Sequence, residues 1–305
     1  MIKLSIIIVS YNTKYFLKKC LESIIINTSK DFKYEVIIVD NASVDGSIEE
    51  VKKLQSKNKN DNLEIKIVEN IENLGFAKAN NIAVKEAKGN YLLFLNSDTE
   101  LLYKHTLEEM VAFMDHHPKA GAATCTVELP DKTIDDASHR GFPTPWNAIC
   151  HFIGLGKIFP SSDVFNGYHM AWKNIQNVHE IDALAGAFMI VRKDAGINVG
   201  WWDEDYFFYG EDLDFCYKLK EKGWKVYFVP STKILHYKGV SSGIKEHSIN
   251  ITTASIELQR RITHARFEAM KIFYRKHYIR KYPSFLTEFV MKGISLKEWM
   301  TLRKI

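Results

Sequence analysis

The sequence predicts an α/β protein: a mostly parallel central sheet flanked by helices, followed by a helical C-terminal extension. Three observations carry this expectation. The runs Leu4–Val9, Tyr34–Val39, Leu63–Val68 and Tyr91–Leu95 are rich in β-branched and aliphatic residues and have strand length. Segments with helical spacing separate them, and that alternation implies parallel pairing through right-handed crossovers. The first, second and fourth runs each stop abruptly in polar residues. On neighbouring parallel strands, such endings line one crevice at the carboxyl edge of the sheet, where ligands of open α/β sheets bind.

The elements follow in order. Leu4–Val9 is continuous enough to be buried on both faces, and a helix is expected from about Lys14 to Asn27. Tyr34–Val39 ends in Asp40-Asn41 and leads to a helix over Ile48–Lys57. Leu63–Val68 alternates, and Asn73-Leu74-Gly75-Phe76 opens a helix carrying Lys78, Asn80 and Asn81. Tyr91–Leu95 ends in Asn96-Ser97-Asp98, after which Thr99–His117 reads as a helix. From Pro130 to Val178 periodicity fades among prolines, glycines and aromatics, the mark of a functional excursion. Ile181–Arg192 returns to the core, and Gly186 in it permits close approach of a ligand or another strand. Leu213–Lys222 is expected to be helical with Gly223 as its stop. Trp224–Val229 is a strand that Pro230 ends; Lys233–Leu235 resumes it before His236.

Composition narrows the class. The 46% hydrophobic and 26% charged fractions are those of an ordinary globular protein, and no apolar run reaches the roughly 18 residues that span a membrane. The start has no signal-peptide shape, which points to a cytoplasmic protein. Cys20, Cys125, Cys150 and Cys216 lack paired spacing and are expected to be reduced and buried. Residues 249–305 hold 12 Lys/Arg against 4 Asp/Glu, a net of +8; the whole chain carries +4, so the remainder is −4. A basic tail with interleaved aromatics suits either an interfacial helix on the inner face of the plasma membrane or packing on the body or on a second subunit in a homodimer. No nucleic-acid motif is present.

The crevice has the geometry of a nucleotide site, yet neither a G-x-G-x-x-G turn nor a G-x-x-x-x-G-K-[ST] loop is present. Phosphate charge must be met otherwise, and a metal held by Asp98 is one answer. Asp98 as a helix cap is the other.

The motifs SIIIVSYN, VDNASVDGS, NLGFAKANN, LFLNSDT, LAGAFMIVR, FFYGEDLDFCYKLKEKGWKVYFVP and HYKGVSS occur in this order over residues 4–243. In this the chain resembles the family-two inverting glycosyltransferases of the Rossmann-like GT-A fold, nearest the bacterial rhamnosyltransferase-like branch that builds surface polysaccharides. The resemblance implies a GT-A domain over residues 1–245, with a nucleotide-sugar half to about 125 and an acceptor half beyond it, and a basic extension over 246–305. It implies that Ser10, Tyr11, Asn12, Asp40, Asn41, Gly75, Lys78, Asn80, Asn96, Ser97, Asp98 and Gly186 meet the nucleotide sugar, a dTDP or UDP donor, with dTDP-L-rhamnose one candidate. Asp98 and His236 would hold Mg²⁺ or Mn²⁺, and Asp212 would be the base. Trp201, Trp202, Asp203 and Glu211 would face a glycan or lipid-linked acceptor, with core packing the competing reading for the two tryptophans. The family's first Asp of Asp-X-Asp is Asn96 here, which brings an amide and no charge. A sugar-phosphate nucleotidyltransferase and a non-catalytic sugar-nucleotide binding module are the alternatives.

Overall fold

A computed structural model describes residues 2–58, 60–239 and 255–303. The expected strands form at β1 (Leu4–Ser10), β2 (Tyr34–Asp40), β3 (Leu63–Glu69) and β4 (Tyr91–Asn96). They pair in parallel in the order β3-β2-β1-β4. The crossovers are α1 (Lys14–Asn27), α2 (Ser47–Lys57) and α3 (Phe76–Glu86). Side chains alternate across the sheet, so Ile6 and Ile8 face α1 while Ile7 faces the alanines Ala77, Ala79 and Ala83 of α3. Burying one such isoleucine stabilises by about 1.5–3 kcal/mol. Small residues on α3 let it lie close on the sheet, which keeps the loops at the strand ends within reach of one another.

Beyond β4 the sheet is mixed. β8 (Phe188–Arg192) runs antiparallel to β4, and β6 (Ala120–Glu128) runs antiparallel to β8. β9 (Lys225–His236) is parallel to β6, and its other edge carries β7 (His179–Ile181) and β5 (Thr99–Leu101), both antiparallel. Two expectations change here. Thr99–Leu101 is a strand, because β9 offers a free edge that overrides local helix preference; the helix, α4, starts only at Thr106 and runs to His116. Asp98 therefore does not cap a helix. Pro230 does not end β9 either. The β6 register jumps from Cys125↔Val229 to Thr126↔Lys233, so Pro230, whose nitrogen cannot donate, falls in a bulge where the ladder is already interrupted.

The excursion after β6 holds α5 (Pro145–Phe152) and the short α6 (Leu155–Ile158). α7 (Lys193–Val199) follows β8. The next helix, α8, spans Glu211–Glu221, two residues earlier than expected, so Glu211 and Asp212 stand in its first turn behind Gly210. Gly210 has φ +85°, a left-handed conformation that a side chain would strain.

The tail forms two helices, α9 (Ile256–His277) and α10 (Ser284–Leu302), packed on the body. Phe273, Tyr274 and Tyr278 cluster with Tyr217 of α8. His277 Nε2 lies 2.7 Å from Asp214 of α8, and Lys276 Nζ lies 2.5 Å from Asp203. The boundary at 245/246 and Val240, Ser241 and Ser242 of the HYKGVSS motif lie outside the described residues. All four cysteines are free and buried.

Candidate active site

The polar strand ends open into one cleft of about 820 Å³. Tyr11, Asn41 and Gly75 line it from the first three strand-end loops, and Asn96, Ser97 and Asp98 from the fourth. Gly186, Glu211, Asp212 and His236 enter from the second half of the chain. Gly75 has φ +81°, and a Cβ there would stand 2.4 Å from the Phe207 carbonyl oxygen, so only glycine fits. Gly186 leaves room for the Phe76 ring, 3.1 Å from where its Cβ would be.

The β5–β9 pairing places the acidic and imidazole groups together. Thr99 and His236 are register partners, and Tyr237 N donates to the Asp98 carbonyl at 2.9 Å. His236 Nε2 then lies 3.4 Å from Asp98 Oδ1 and 3.3 Å from Asn96 Nδ2. Its Nδ1 lies 3.2 Å from Asp135 Oδ2, and Lys238 Nζ lies 2.5 Å from Asp135 Oδ1. Burial alone would push the His236 ring down, but the Asp98 charge and the Asp135 bond outweigh it and lift it to about 9. Asp135 is also buried, yet the bond from His236 and the Lys238 charge hold it far below the usual carboxylate range. Carboxylate, imidazole and amide converging on one spot, with the outer ring nitrogen tied to a second carboxylate, is a donor set that would suit a divalent cation. The residues fit such an ion chemically, the Asn96 amide serving once its oxygen is turned inward. A second group, His264, Glu268 and Glu298, is already bridged by Lys271, which sits 2.7 Å from Glu268 and 2.8 Å from Glu298.

Asp212 lines the same cleft: its Oδ2 accepts from Arg140 Nη2 at 2.8 Å, and its Oδ1 accepts from Leu213 N at 2.7 Å. Burial works against the Arg140 charge, but Asp212 reverses that and raises its pKa. Glu211 is buried, with Oε2 lacking a partner; desolvation and then the Asp212 charge push it up to about 8.

Other expected site residues stand behind the cleft. Ser10 Oγ is 3.1 Å from Thr13 Oγ1, which donates to Ser97 at 3.0 Å, so a buried hydroxyl chain steadies the Asn96-Ser97-Asp98 turn. Asn12 is left-handed, at φ 53°, and accepts from Val44 N, joining the first two loops. Asp40 accepts from Ser43 N; burial raises its pKa, and its Oδ1 has no partner. Asn80 caps back onto the Phe76 carbonyl inside its own helix.

Four of the expected residues, Lys78, Trp201, Trp202 and Asp203, lie outside the cleft lining. Lys78 is on the exposed face of α3, outside the cleft lining, because α3 turns Ala77, Ala79 and Asn80 inward instead. Trp202 is 2% exposed and is wedged among Phe76, Phe94 and Phe215; it is core. Trp201 packs on Gly196 and Phe215. Asp203 is engaged by Lys276 of α9. Sequence reasoning missed Asp135, Arg140 and Lys238, and the aperiodic stretch holding the first two carried no signal beyond their charge.

Comparisons with known proteins give the family and the fold. The family model of glycosyl transferase family 2 matches residues 5–175, and that of glycosyl transferase family group 2 matches residues 91–261. The chain is 28% identical over 251 residues to rhamnosyltransferase WbbL of Escherichia coli, covering 76% of this chain and 82% of that protein. It is 24% identical over 251 residues to the N-acetylglucosaminyl-diphospho-decaprenol L-rhamnosyltransferase of Mycobacterium tuberculosis, covering 79% and 78%. Among solved structures, TarS 1-349 of S. aureus superposes with a TM-score of 0.52 at 18% identity over 90% of this chain and 73% of that one. The mannosyltransferase PcManGT from Pyrobaculum calidifontis, solved with GDP-Man and Mn²⁺, gives 0.55 at 15% identity over 99% and 82%.

Proposed function

The chain belongs to glycosyl transferase family 2, and from that premise we propose an inverting, metal-assisted transfer from a nucleoside diphosphate sugar to a glycan or lipid-linked acceptor. It is a glycosyltransferase of polysaccharide synthesis. The donor we favour is dTDP-L-rhamnose, given the rhamnosyltransferase relatives. The observation that carries the mechanism is the meeting of Asn96, Asp98, His236 and Asp212 in one cleft.

Asp98 and His236, with Asn96 beside them, would hold Mg²⁺ or Mn²⁺. The ion would supply charge neutralisation at the diphosphate. The chain's own groups do the rest. Arg140 and the Leu213 amide fix the Asp212 carboxylate. Asp212 takes the proton of the acceptor hydroxyl as its oxygen attacks the anomeric carbon from the face opposite the leaving group. The anomeric C–O bond breaks, and the nucleoside diphosphate departs with the electron pair. One displacement inverts the configuration, so no second carboxylate is required as nucleophile.

No helix among the described residues is long and apolar enough to cross a membrane. Phe285, Phe289 and Trp299 are exposed on α10, which supports peripheral contact with an anionic bilayer through the basic tail.

The test is a thermal-shift screen of nucleoside diphosphate sugars with and without Mn²⁺ or Mg²⁺. A donor at a hundred times its Kd should stabilise by about 2.7 kcal/mol, and only with metal present. Stabilisation that survives chelation would remove the metal from the mechanism; none from any nucleotide sugar would remove the donor site.

A further inference from the structure

The chain from the end of β6 through β7 carries four of the 11 histidines, and they meet in two pairs. His151 Nδ1 lies 2.9 Å from His169 Nε2, and both residues line the cleft. The other pair stands outside the cleft lining. There His139 Nε2 and His179 Nε2 face each other at 2.7 Å. The fold presses them together. Arg140 exchanges both backbone bonds with Ala183, and β7 pairs with β9 at His179↔Phe228. The Phe228 ring packs against both imidazoles.

A neutral imidazole has one proton to give. His179 gives its own to the Asn177 carbonyl, 2.8 Å from Nδ1. The His139 ring gives its own to the His169 backbone. The two Nε2 atoms then meet lone pair to lone pair, and only a positive centre between them relieves the repulsion. An added proton is disfavoured. Burial, and then His179, push His139 down to about 4; burial lowers His179 as well, and the Lys173 charge adds to both shifts. A metal ion, by contrast, needs both rings neutral. One ring nitrogen bound to a carbonyl with the other left as a lone pair is also how ligating histidines are oriented.

We propose that His139 and His179 bind a divalent transition-metal ion of the Zn²⁺ class, at a site separate from the cleft. Imidazole pairs suit Zn²⁺, Ni²⁺ and Cu²⁺, whereas oxygen-rich sets suit Mg²⁺ and Mn²⁺. Two Zn–N bonds of about 2.0–2.1 Å at a tetrahedral angle set the nitrogens roughly 3.3 Å apart, so the rings need open by only about 0.6 Å. His139 is buried and His179 half-buried, so water completes the shell from the His179 side. The next residue after His139 is Arg140, whose guanidinium holds Asp212, so an ion here would clamp the segment that carries it.

The experiment is calorimetric titration of the full chain with Zn²⁺ in excess Mg²⁺, in an Asp98→Ala background that removes the carboxylate of the cleft. Zn²⁺ should bind, and adding His179→Gln should weaken one equivalent at least about tenfold, since even outer-shell changes at metal sites cost about 10–100-fold. His151→Gln should leave that equivalent intact. Zn²⁺ should raise the melting temperature of the background and raise it less once His179→Gln is added. Co²⁺ in place of Zn²⁺ should give a visible absorption band that His179→Gln abolishes. His179 is the chosen position because it is half-buried, so its loss leaves the core intact. Absence of Zn²⁺ binding in the background would overturn the proposal. So would identical titrations with and without His179→Gln, or an equivalent lost through His151→Gln and kept in His179→Gln.

Discussion

Replacing Asp212 by Asn tests the base and its guanidinium partner together. The two side chains are 13% and 12% exposed and meet at 2.8 Å. Removing one member of a buried pair strands the other charge, at a cost of about 3–5 kcal/mol. Asn keeps a neutral acceptor oxygen beside Arg140, so the low end applies, about 3 kcal/mol. At about 2–4 °C per kcal/mol for a large domain, the melting temperature should fall by roughly 6–12 °C. Catalysis should fall further, because a positioned base contributes about 10²–10⁴-fold. Adding Arg140→Gln removes the stranded charge, and the double variant should regain much of the lost stability while staying inactive. The assays are thermal unfolding and release of nucleoside diphosphate with acceptor present. Asp212→Asn activity within tenfold of wild type would refute the base assignment. A double variant no more stable than Asp212→Asn would refute the pairing argument.

Three further outcomes follow from the same geometry. Asp135→Asn loosens the His236 ring and should weaken metal support of nucleotide binding about 10–100-fold, read from the Mn²⁺ dependence of the nucleotide thermal shift; an unchanged midpoint would show that Asp135 does not act through His236. Glu211, lifted to about 8 from 4.5, holds its proton in the folded state where the unfolded chain has lost it. That contribution to stability is complete below about pH 4.5 and is lost as pH rises towards 8, so the unfolding temperature of wild type should decline across this window relative to Glu211→Gln; parallel profiles would contradict it. Trp202→Ala should cost about 3–5 kcal/mol in urea unfolding. A normally stable variant with raised acceptor KM would reverse the core assignment.

The first four strands were legible because β-branched runs buried on both faces leave little ambiguity, and their polar ends marked the cleft. The deeper site was not. Asp135 and Arg140 lie where periodicity fails, and their partners His236 and Asp212 stand 101 and 72 residues away, beyond any local pattern. Thr99–Leu101 read as helix because Asp98-Thr99 mimics a cap, whereas a tertiary edge decided it. Trp201 and Trp202 show why aromatic residues near a motif are ambiguous: burial distinguishes core from sugar platform, and sequence does not report burial.

The clasp between α8 and α9 bears on how the molecule tolerates shortening. Asp214 is 1% exposed; His277 Nε2 lies 2.7 Å from its Oδ1, and Lys218 of its own helix lies 3.1 Å from its Oδ2. The same helix presents Glu211 and Asp212 one turn earlier. Trimming the chain ahead of residue 255 would remove more than a basic tail. It would uncover Asp214 and the Tyr217 ring on the very helix whose first turn carries Glu211 and Asp212, so a cut made at the far end should be felt at the cleft.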